Sequence, residues 1–290
     1  MRVLVTGAYG RVGTAIIDYL HERDEYEFTY YNRSDRPDDH RYGGYDTVVG
    51  NVTDKEALIE ATEGHDAMVH LAAYPRVDTT WDDIHEPNLV GMNNALEAAR
   101  EAELETFIFG SSNHAVGMYE RENAPEIYYP GHGLVIDSDS EVRPDSFYGT
   151  SKAFGEDLGR QYIELYDFPE QFYSLRICSV RHREYDHPYG DAERSVDDGN
   201  TDRNSEEYDE AVARMKAMWQ SRRDFAHQVD CCLQDESVEF GIYSGVSDND
   251  RRWFSIEDAR SELGYTPEDN GDEWDEPPEW SGNPDEAPVR

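Results

Sequence analysis

The chain has little lysine, little cysteine and no long apolar run. Lys55, Lys152 and Lys216 are its only lysines, and its 26 basic residues face 64 acidic ones, a formal net charge of −38. A surface so negative repels a phosphate backbone and an anionic bilayer, which makes nucleic acid and membranes poor partners. Three cysteines do not make a disulfide framework. Cys231 and Cys232 are adjacent, Cys178 ends an apolar run, and all three are expected reduced. No apolar stretch approaches the ~18 residues that mark a membrane span. No signal peptide is expected, because Arg2-Val3-Leu4-Val5 runs directly into a glycine loop. A soluble, cytoplasmic protein is therefore expected. Lysine-poor acidity also typifies proteins from salt-loaded cytoplasm, where screening makes self-repulsion tolerable, so a halophilic source is expected.

What is present argues against disorder, the other outcome of high charge. Hydrophobic residues make up 37% of the chain and aromatic ones 12%, gathered into strand-length runs. Residues 2–6 read as a short apolar strand, and 11–20 as a helix with Val12, Ile16, Ile17 and Leu20 on one face. Further strands are expected at 27–31, 47–49, 67–71, 107–109 and 172–177. Between them fall a helix capped by Thr53-Asp54 and running to Ala61, one over 88–100 and a long one over 145–166. This alternation predicts an α/β chain on a doubly wound parallel sheet, with sites at the carboxyl ends of the strands. Past Val180 the pattern breaks. Residues 182–210 are polar and form either a solvated insertion or a substrate lid. A helix over 209–232, a strand over 238–243 and a short helix over 256–263 are expected to build a small cap. The expected division is 1–180 for dinucleotide binding and catalysis, 181–267 for a substrate-binding lobe and 268–290 for a flexible acidic tail. Apolar residues on more than one face of the 88–100 and 146–166 helices lead to the expectation of a homo-oligomer, with an intramolecular partner for those faces as the alternative.

Three motifs carry chemistry. Gly7, Gly10 and Gly13, spaced G-x-x-G-x-x-G between a strand and a helix, suit a loop whose backbone approaches a pyrophosphate. Ser111-Ser112-Asn113-His114 follows the fifth strand. Tyr148 and Lys152, four apart, share one helical face. A neighbouring ammonium and a positively charged nicotinamide would favour the phenolate, so that Tyr148 takes a substrate proton as hydride leaves. Lys152 would also hold the nicotinamide ribose, and Ser112 the reacting oxygen. Tyr31-Asn32-Arg33-Ser34 ends the second strand without the carboxylate that favours NAD, and Arg33 can pair with a ribose phosphate. NADP is therefore the expected cofactor, with NAD as the alternative. Expected cofactor contacts are Gly7, Tyr9, Gly10, Arg11, Val12, Gly13, Asn32, Arg33, Ser34, Asn51, Val52, Leu71, Ala72, Ala73, Asn88, Ser111, Tyr148, Lys152 and Ile177. No metal is expected.

The string Ser111-Ser112-Asn113-His114 with Gly117, then Tyr148 to Glu156, then Leu175-Arg176-Ile177, resembles the extended short-chain dehydrogenase/reductases. Within that group, Arg214, Trp219, Ser221 and Asp224, followed by Ser247 to Asp250, make the chain most similar to uronate dehydrogenases and haloarchaeal sugar dehydrogenases. The likeness spans roughly residues 1–270. It implies a Rossmann-type fold and oxidation of a cyclic aldose at its anomeric carbon to the lactone. It also implies sugar contacts from Ser112, Asn113, His114, Tyr148 and Ser179, and a carboxylate grip from Arg214. His114 has a second reading as a core histidine satisfied by backbone, and Arg214 as a partner for a local carboxylate.

Some positions depart from that pattern. Asn32 replaces the family's usual acid, Cys178 stands where glycine is common, and the interval from Arg176 to Arg214 is longer than in uronate dehydrogenases. A neutral pentose or hexose such as L-arabinose is the expected substrate, with uronate or glucose 6-phosphate as alternatives. A nucleotide-sugar epimerase or dehydratase is a further alternative, as is a non-catalytic dinucleotide-binding relative.

Overall fold

The computed structural model describes residues 1–279. Its first half runs β1 (Arg2–Thr6), α1 (Gly13–Leu20), β2 (Glu27–Asn32), β3 (Thr47–Val49), α2 (Lys55–Thr62), β4 (Ala67–His70), α3 (Trp81–Ile84), α4 (Gly91–Glu101) and β5 (Thr106–Ser112). There follow α5 (Met118–Asn123), α6 (Phe147–Leu165), β6 (Gln171–Ile177), α7 (Gly190–Asp197), α8 (Glu206–Met218), α9 (Arg222–Gln234), β7 (Phe240–Gly245) and α10 (Glu257–Leu263). The strands form one seven-stranded sheet in the order β3-β2-β1-β4-β5-β6-β7, parallel throughout. The chain winds outward from β1 to β3, returns at β4 and winds the other way, so a crevice opens between the carboxyl ends of β1 and β4. This is the Rossmann-type sheet expected.

Parallel strands covered on both faces read as continuous apolar runs, and β4 and β5 are buried at every residue. Successive side chains still part to opposite faces. Val3 and Val5 join Ile16, Ile17, Phe225 and Val229 under α1 and α9, while Leu4 joins Leu58, Leu96 and Tyr162 under α2, α4 and α6.

Helix α6 starts where Ser146 accepts a hydrogen bond from the Gly149 amide at 3.0 Å, two residues later than the sequence predicts. It lies close on the sheet because Gly155 has no side chain: a Cβ there would meet the Phe109 ring at 2.5 Å. One turn beyond Lys152, Glu156 forks with Arg176 of β6 at 3.0 and 2.8 Å, both side chains 2% exposed. Ser111 donates to the same carboxylate at 2.6 Å.

Four segments differ from the sequence reading. The helix expected from 88 begins earlier as α3 and passes through a π-helical turn, His85–Val90, before α4. The single helix over 209–232 is two, α8 and α9. Trp219 turns extended, bridges to Ser179, and Ser221 caps α9 by accepting from the Asp224 amide at 3.0 Å. The strand expected in a separate cap, β7, pairs with β6 in the main sheet. The tail expected to be flexible from 268 begins as packed chain. Glu268 and Asp269 amides donate to Asp224, Asp269 is 3% exposed, and Lys216 Nζ donates to the Trp274 carbonyl at 2.6 Å. The rest of that tail, 280–290, lies outside the described residues. Residues 182–210 are folded too, with Tyr189, Ala192 and Tyr208 forming a small buried cluster between α7 and α8.

A buried ion pair is costly to break because the remaining charge has no water. Glu156→Gln is expected to lower the unfolding free energy by about 3 kcal/mol in a denaturant titration. Replacing both partners with apolar residues, Glu156→Leu with Arg176→Met, is expected to cost less than the single change. A single-variant loss no larger than that of an average surface substitution would contradict this reading.

Candidate active site

The glycine loop leaves β1 at Thr6, whose hydroxyl meets His70 Nδ1 at 2.9 Å and accepts the Ala72 amide at 3.3 Å. The turns after β1 and β4 are thereby laid side by side. Gly7 has φ +71°, and a Cβ there would sit 2.8 Å from the Ala72 nitrogen, so only glycine fits. No side chain caps the amino end of α1. That leaves backbone donors for an anion. Asn32 Oδ1 accepts the Tyr9 amide at 3.1 Å, while its Nδ2 is buried with no partner. An orphaned donor beside an uncapped helix end, at the switch point of the sheet, fits a dinucleotide.

The remaining expected cofactor residues divide. Leu71, Ala72 and Ala73 line the turn after β4 half-buried, Val52 is buried and Asn51 exposed. Ile177, at the end of β6, is half-buried. Arg33 and Ser34 are exposed. Arg36, which the sequence reading missed, reaches the glycine loop instead. Its guanidinium lies over the Tyr9 ring at 5.4 Å, donates to the Tyr9 carbonyl at 3.4 Å, and keeps a buried Nε without a partner. Asn88 binds its own protein: Oδ1 accepts the Tyr74 amide at 2.7 Å and Nδ2 donates to Ser151 at 2.9 Å. It clamps the turn after β4 to α6, and the π-helical turn carries it there.

On α6, Lys152 is 4% exposed and donates to the Gly110 carbonyl at 2.7 Å, its Nζ 5.5 Å from the centre of the Tyr148 ring. Burial pushes its amine down to about 7, against the pull of Glu156. Burial pushes the Tyr148 phenol up to about 12, while the Ser112 hydroxyl and the Arg11 charge pull it down. Ser112 and Arg11 thus join the Lys152 amine, 5.5 Å from the ring centre, around the phenol. Ser112 hydrogen-bonds Asn113 at 3.4 Å, and Asn113 Nδ2 is buried without a partner. A second orphaned donor therefore sits next to Ser112, where a polar ligand can use it.

His114 is not a backbone-satisfied core residue. Its Nδ1 meets Asp145 at 2.9 Å and its ring stands edge-on to Tyr148, centroids 5.9 Å apart. Burial raises the Asp145 carboxyl, but the His114 hydrogen bond and charge win and hold it below its ordinary range. Ser179 is buried and takes a 3.4 Å contact from Arg181. Arg214 is forked by Glu120 of α5, which also accepts from Tyr128 at 3.0 Å. Of its two readings, the local carboxylate is the one the structure contains. Burial raises the Cys178 thiol, with Glu120 nearby adding to it. No group of three or more His, Cys, Asp or Glu able to hold a metal occurs among the described residues.

Comparison with known proteins agrees with this geometry. A model of the NAD dependent epimerase/dehydratase family matches residues 3–232. The chain is 36% identical to an NAD-dependent glucose-6-phosphate dehydrogenase of Haloferax volcanii, over 94% of this chain and 95% of that one. It is 34% identical to an L-arabinose 1-dehydrogenase (NAD(P)(+)) of the same organism, over 93% and 97%. A solved uronate dehydrogenase from Agrobacterium tumefaciens superposes with a TM-score of 0.71 at 26% identity, covering 97% of this chain and 92% of that one. Since the family match takes in the glycine loop, the serine pair and the Tyr148/Lys152 helix together, the chain belongs to the NAD-dependent epimerase/dehydratase family of extended short-chain dehydrogenase/reductases.

Proposed function

We propose that the protein oxidises a cyclic aldose at its anomeric carbon to the lactone, with NADP preferred over NAD. The observation that carries this reading is the convergence of Tyr148, Ser112 and the orphaned Asn113 amide at the end of β5, beside a crevice that fits a dinucleotide. When bound, an oxidised nicotinamide dinucleotide supplies the hydride acceptor and a positive charge beside the phenol. Ser112 holds the C1 hydroxyl oxygen, and Tyr148 takes its proton as the C1 hydrogen departs. Lys152, anchored on Gly110, keeps the helix face in place and its charge near the phenol. His114, fixed by Asp145, presents its other ring nitrogen toward sugar hydroxyls.

Glu120 already occupies Arg214, which counts against a uronate carboxylate there and favours a sugar without one. Arg36 on Tyr9, with uncharged Asn32 below, supports the NADP preference. The acidic, lysine-poor composition fits a salt-loaded cytoplasm. Trp81 and Phe147, 47% and 49% exposed with ring centroids 6.3 Å apart, mark a face for a homo-oligomer.

The test is a spectrophotometric screen in concentrated potassium chloride, with free aldoses, uronates and sugar phosphates, each with NAD and with NADP. Reduced cofactor is expected with at least one aldose; silence there, with nucleotide sugars isomerised instead, would replace this reading with an epimerase. Tyr148→Phe is expected to lower kcat at least ~100-fold with little change in KM for the cofactor. A raised phenol pKa means the basic form grows toward alkaline pH, so kcat/KM should climb from neutral into the alkaline range. Ser112→Ala removes a group that lowers that pKa, and the limb should move to higher pH; a limb that stays put would remove Ser112 from the proton path. Arg36→Ala is expected to raise KM for NADP ~10-fold and leave KM for NAD nearly unchanged, as measured by initial rates.

A further inference from the structure

Beyond the carboxyl ends of β5 and β6, a carboxylate of the chain itself holds a cation. Ser112 and Ile177 are paired at the ends of these neighbouring strands. From Ser112 a 3-10 turn, Asn113–Val116, leads into α5 and carries Glu120. From Ile177 the chain reaches Ser179, which bridges to Trp219 at the end of α8. Arg214 lies little more than one turn back along that helix. The two side chains therefore close across adjacent strand ends. Arg214 Nε donates to one Glu120 oxygen at 2.5 Å and Nη2 to the other at 3.3 Å.

Glu120 is anchored from a third side as well. Tyr128, 5% exposed, donates to the oxygen that Arg214 Nε also uses, at 3.0 Å. Its ring packs on buried Trp253, centroids 5.7 Å apart. Burial pushes the Tyr128 phenol up, and Glu120 adds to it, so the hydroxyl stays a donor. The Glu120 and Arg214 side chains are 13% and 28% exposed, so water can do little for either charge alone. A planar fork of donors suits a carboxylate, and this fork already has one. A substrate carboxylate can reach Arg214 only by expelling Glu120. That leaves a poorly hydrated anion beside Tyr128, without its cation and close to a second anion. A sugar that ends in a neutral hydroxymethyl group or a ring hydrogen requires no such exchange.

We propose that Glu120 is a specificity-determining residue, a resident carboxylate that fills the Arg214 fork in place of a substrate's own and so bars uronates while admitting neutral aldoses. The inference rests on the dehydrogenase reading of the cleft, which puts the sugar's C1 at Ser112, and it adds the group that selects the sugar's far end. Discrimination then comes from a repulsive element built into the wall, and not only from attraction for the preferred sugar.

Calorimetric titration of the full chain with D-galactose and D-galacturonate, in the presence of reduced cofactor so that no hydride is taken up, tests this without turnover. Glu120→Gln is expected to raise the affinity for galacturonate relative to galactose ~10-fold. Adding Arg214→Met should cancel that gain, because the freed guanidinium supplies it. If Glu120→Gln loses the wild-type circular dichroism spectrum, Tyr128→Phe decides instead, with a rise of the same sign and smaller size. A merely structural role for Glu120 predicts weaker binding of both sugars with their ratio unchanged, and that result in a folded variant overturns the proposal. A gain that survives Arg214→Met overturns it too. A wild-type chain that binds galactose yet forms no reduced cofactor from any aldose sinks the dehydrogenase reading alone.

Discussion

The buried fork between Glu156 and Arg176 sets the position of everything else in the site. Neither charge has water, so each must find its partner or the fold loses several kcal/mol. The demand can be met in one register only: Nε and Nη2 of Arg176 on the two carboxylate oxygens, with the Ser111 hydroxyl on one of them. Helix α6 is thereby fixed in rotation and along its axis. Lys152, one turn earlier, must then fall on the Gly110 carbonyl, and Tyr148, one turn before that, must fall beside Ser112. Gly155 permits the close approach. The placement of Tyr148 and Lys152 against the end of β5 follows from a contact one turn further along the helix.

Charge is arranged on the same logic. The chain has few cations, and several of those inside it are paired with a carboxylate: Arg176 with Glu156, Arg214 with Glu120, Arg181 with Asp191, Arg222 with Asp18. At the glycine loop Arg36 departs from that rule, lying over the Tyr9 ring and donating to the Tyr9 carbonyl. A net charge of −38 repels an anionic ligand at long range, but the Debye length is only about 3 Å in molar salt. Contact between a guanidinium and a phosphate survives such screening far better than the field of the whole surface. An acidic skin and an anion-binding cleft are therefore compatible where salt is high.

The sequence makes the sheet legible because parallel strands buried on both faces leave uninterrupted apolar runs, as in Val3-Leu4-Val5 of β1, Ala67-Met68-Val69 of β4 and Phe107-Ile108-Phe109 of β5. It makes the glycine loop and α6 legible because close approach and capping demand particular residues there, Gly7 and Ser146 among them. Features set by distant partners were not legible. The π-helical turn exists to bring Asn88 to Tyr74 and Ser151, and nothing local announces it. Helical periodicity continues through Trp219, and only Ser179 and Ser247, remote in sequence, reveal the break before α9. Arg214 meets Glu120 across 94 residues, which no spacing argument reaches. Arg36 sits in a polar loop where its one distinguishing neighbour is the Tyr9 ring.

Burial works against the charged form of both the Tyr148 phenol and the Lys152 amine. Raising the phenol from its ordinary 10 to about 12 disfavours the phenolate by about 3 kcal/mol, and lowering the amine to about 7 thins out the charge meant to assist it. A phenol pushed up to about 12 favours its neutral form at physiological pH. A positive charge placed ~5 Å from the phenol oxygen contributes about 3 kcal/mol at an effective dielectric near 20, enough to offset the penalty. On the proposed dehydrogenase reading the base is made by occupancy, and Arg11, whose charge lowers the phenol pKa, links the glycine loop to Tyr148.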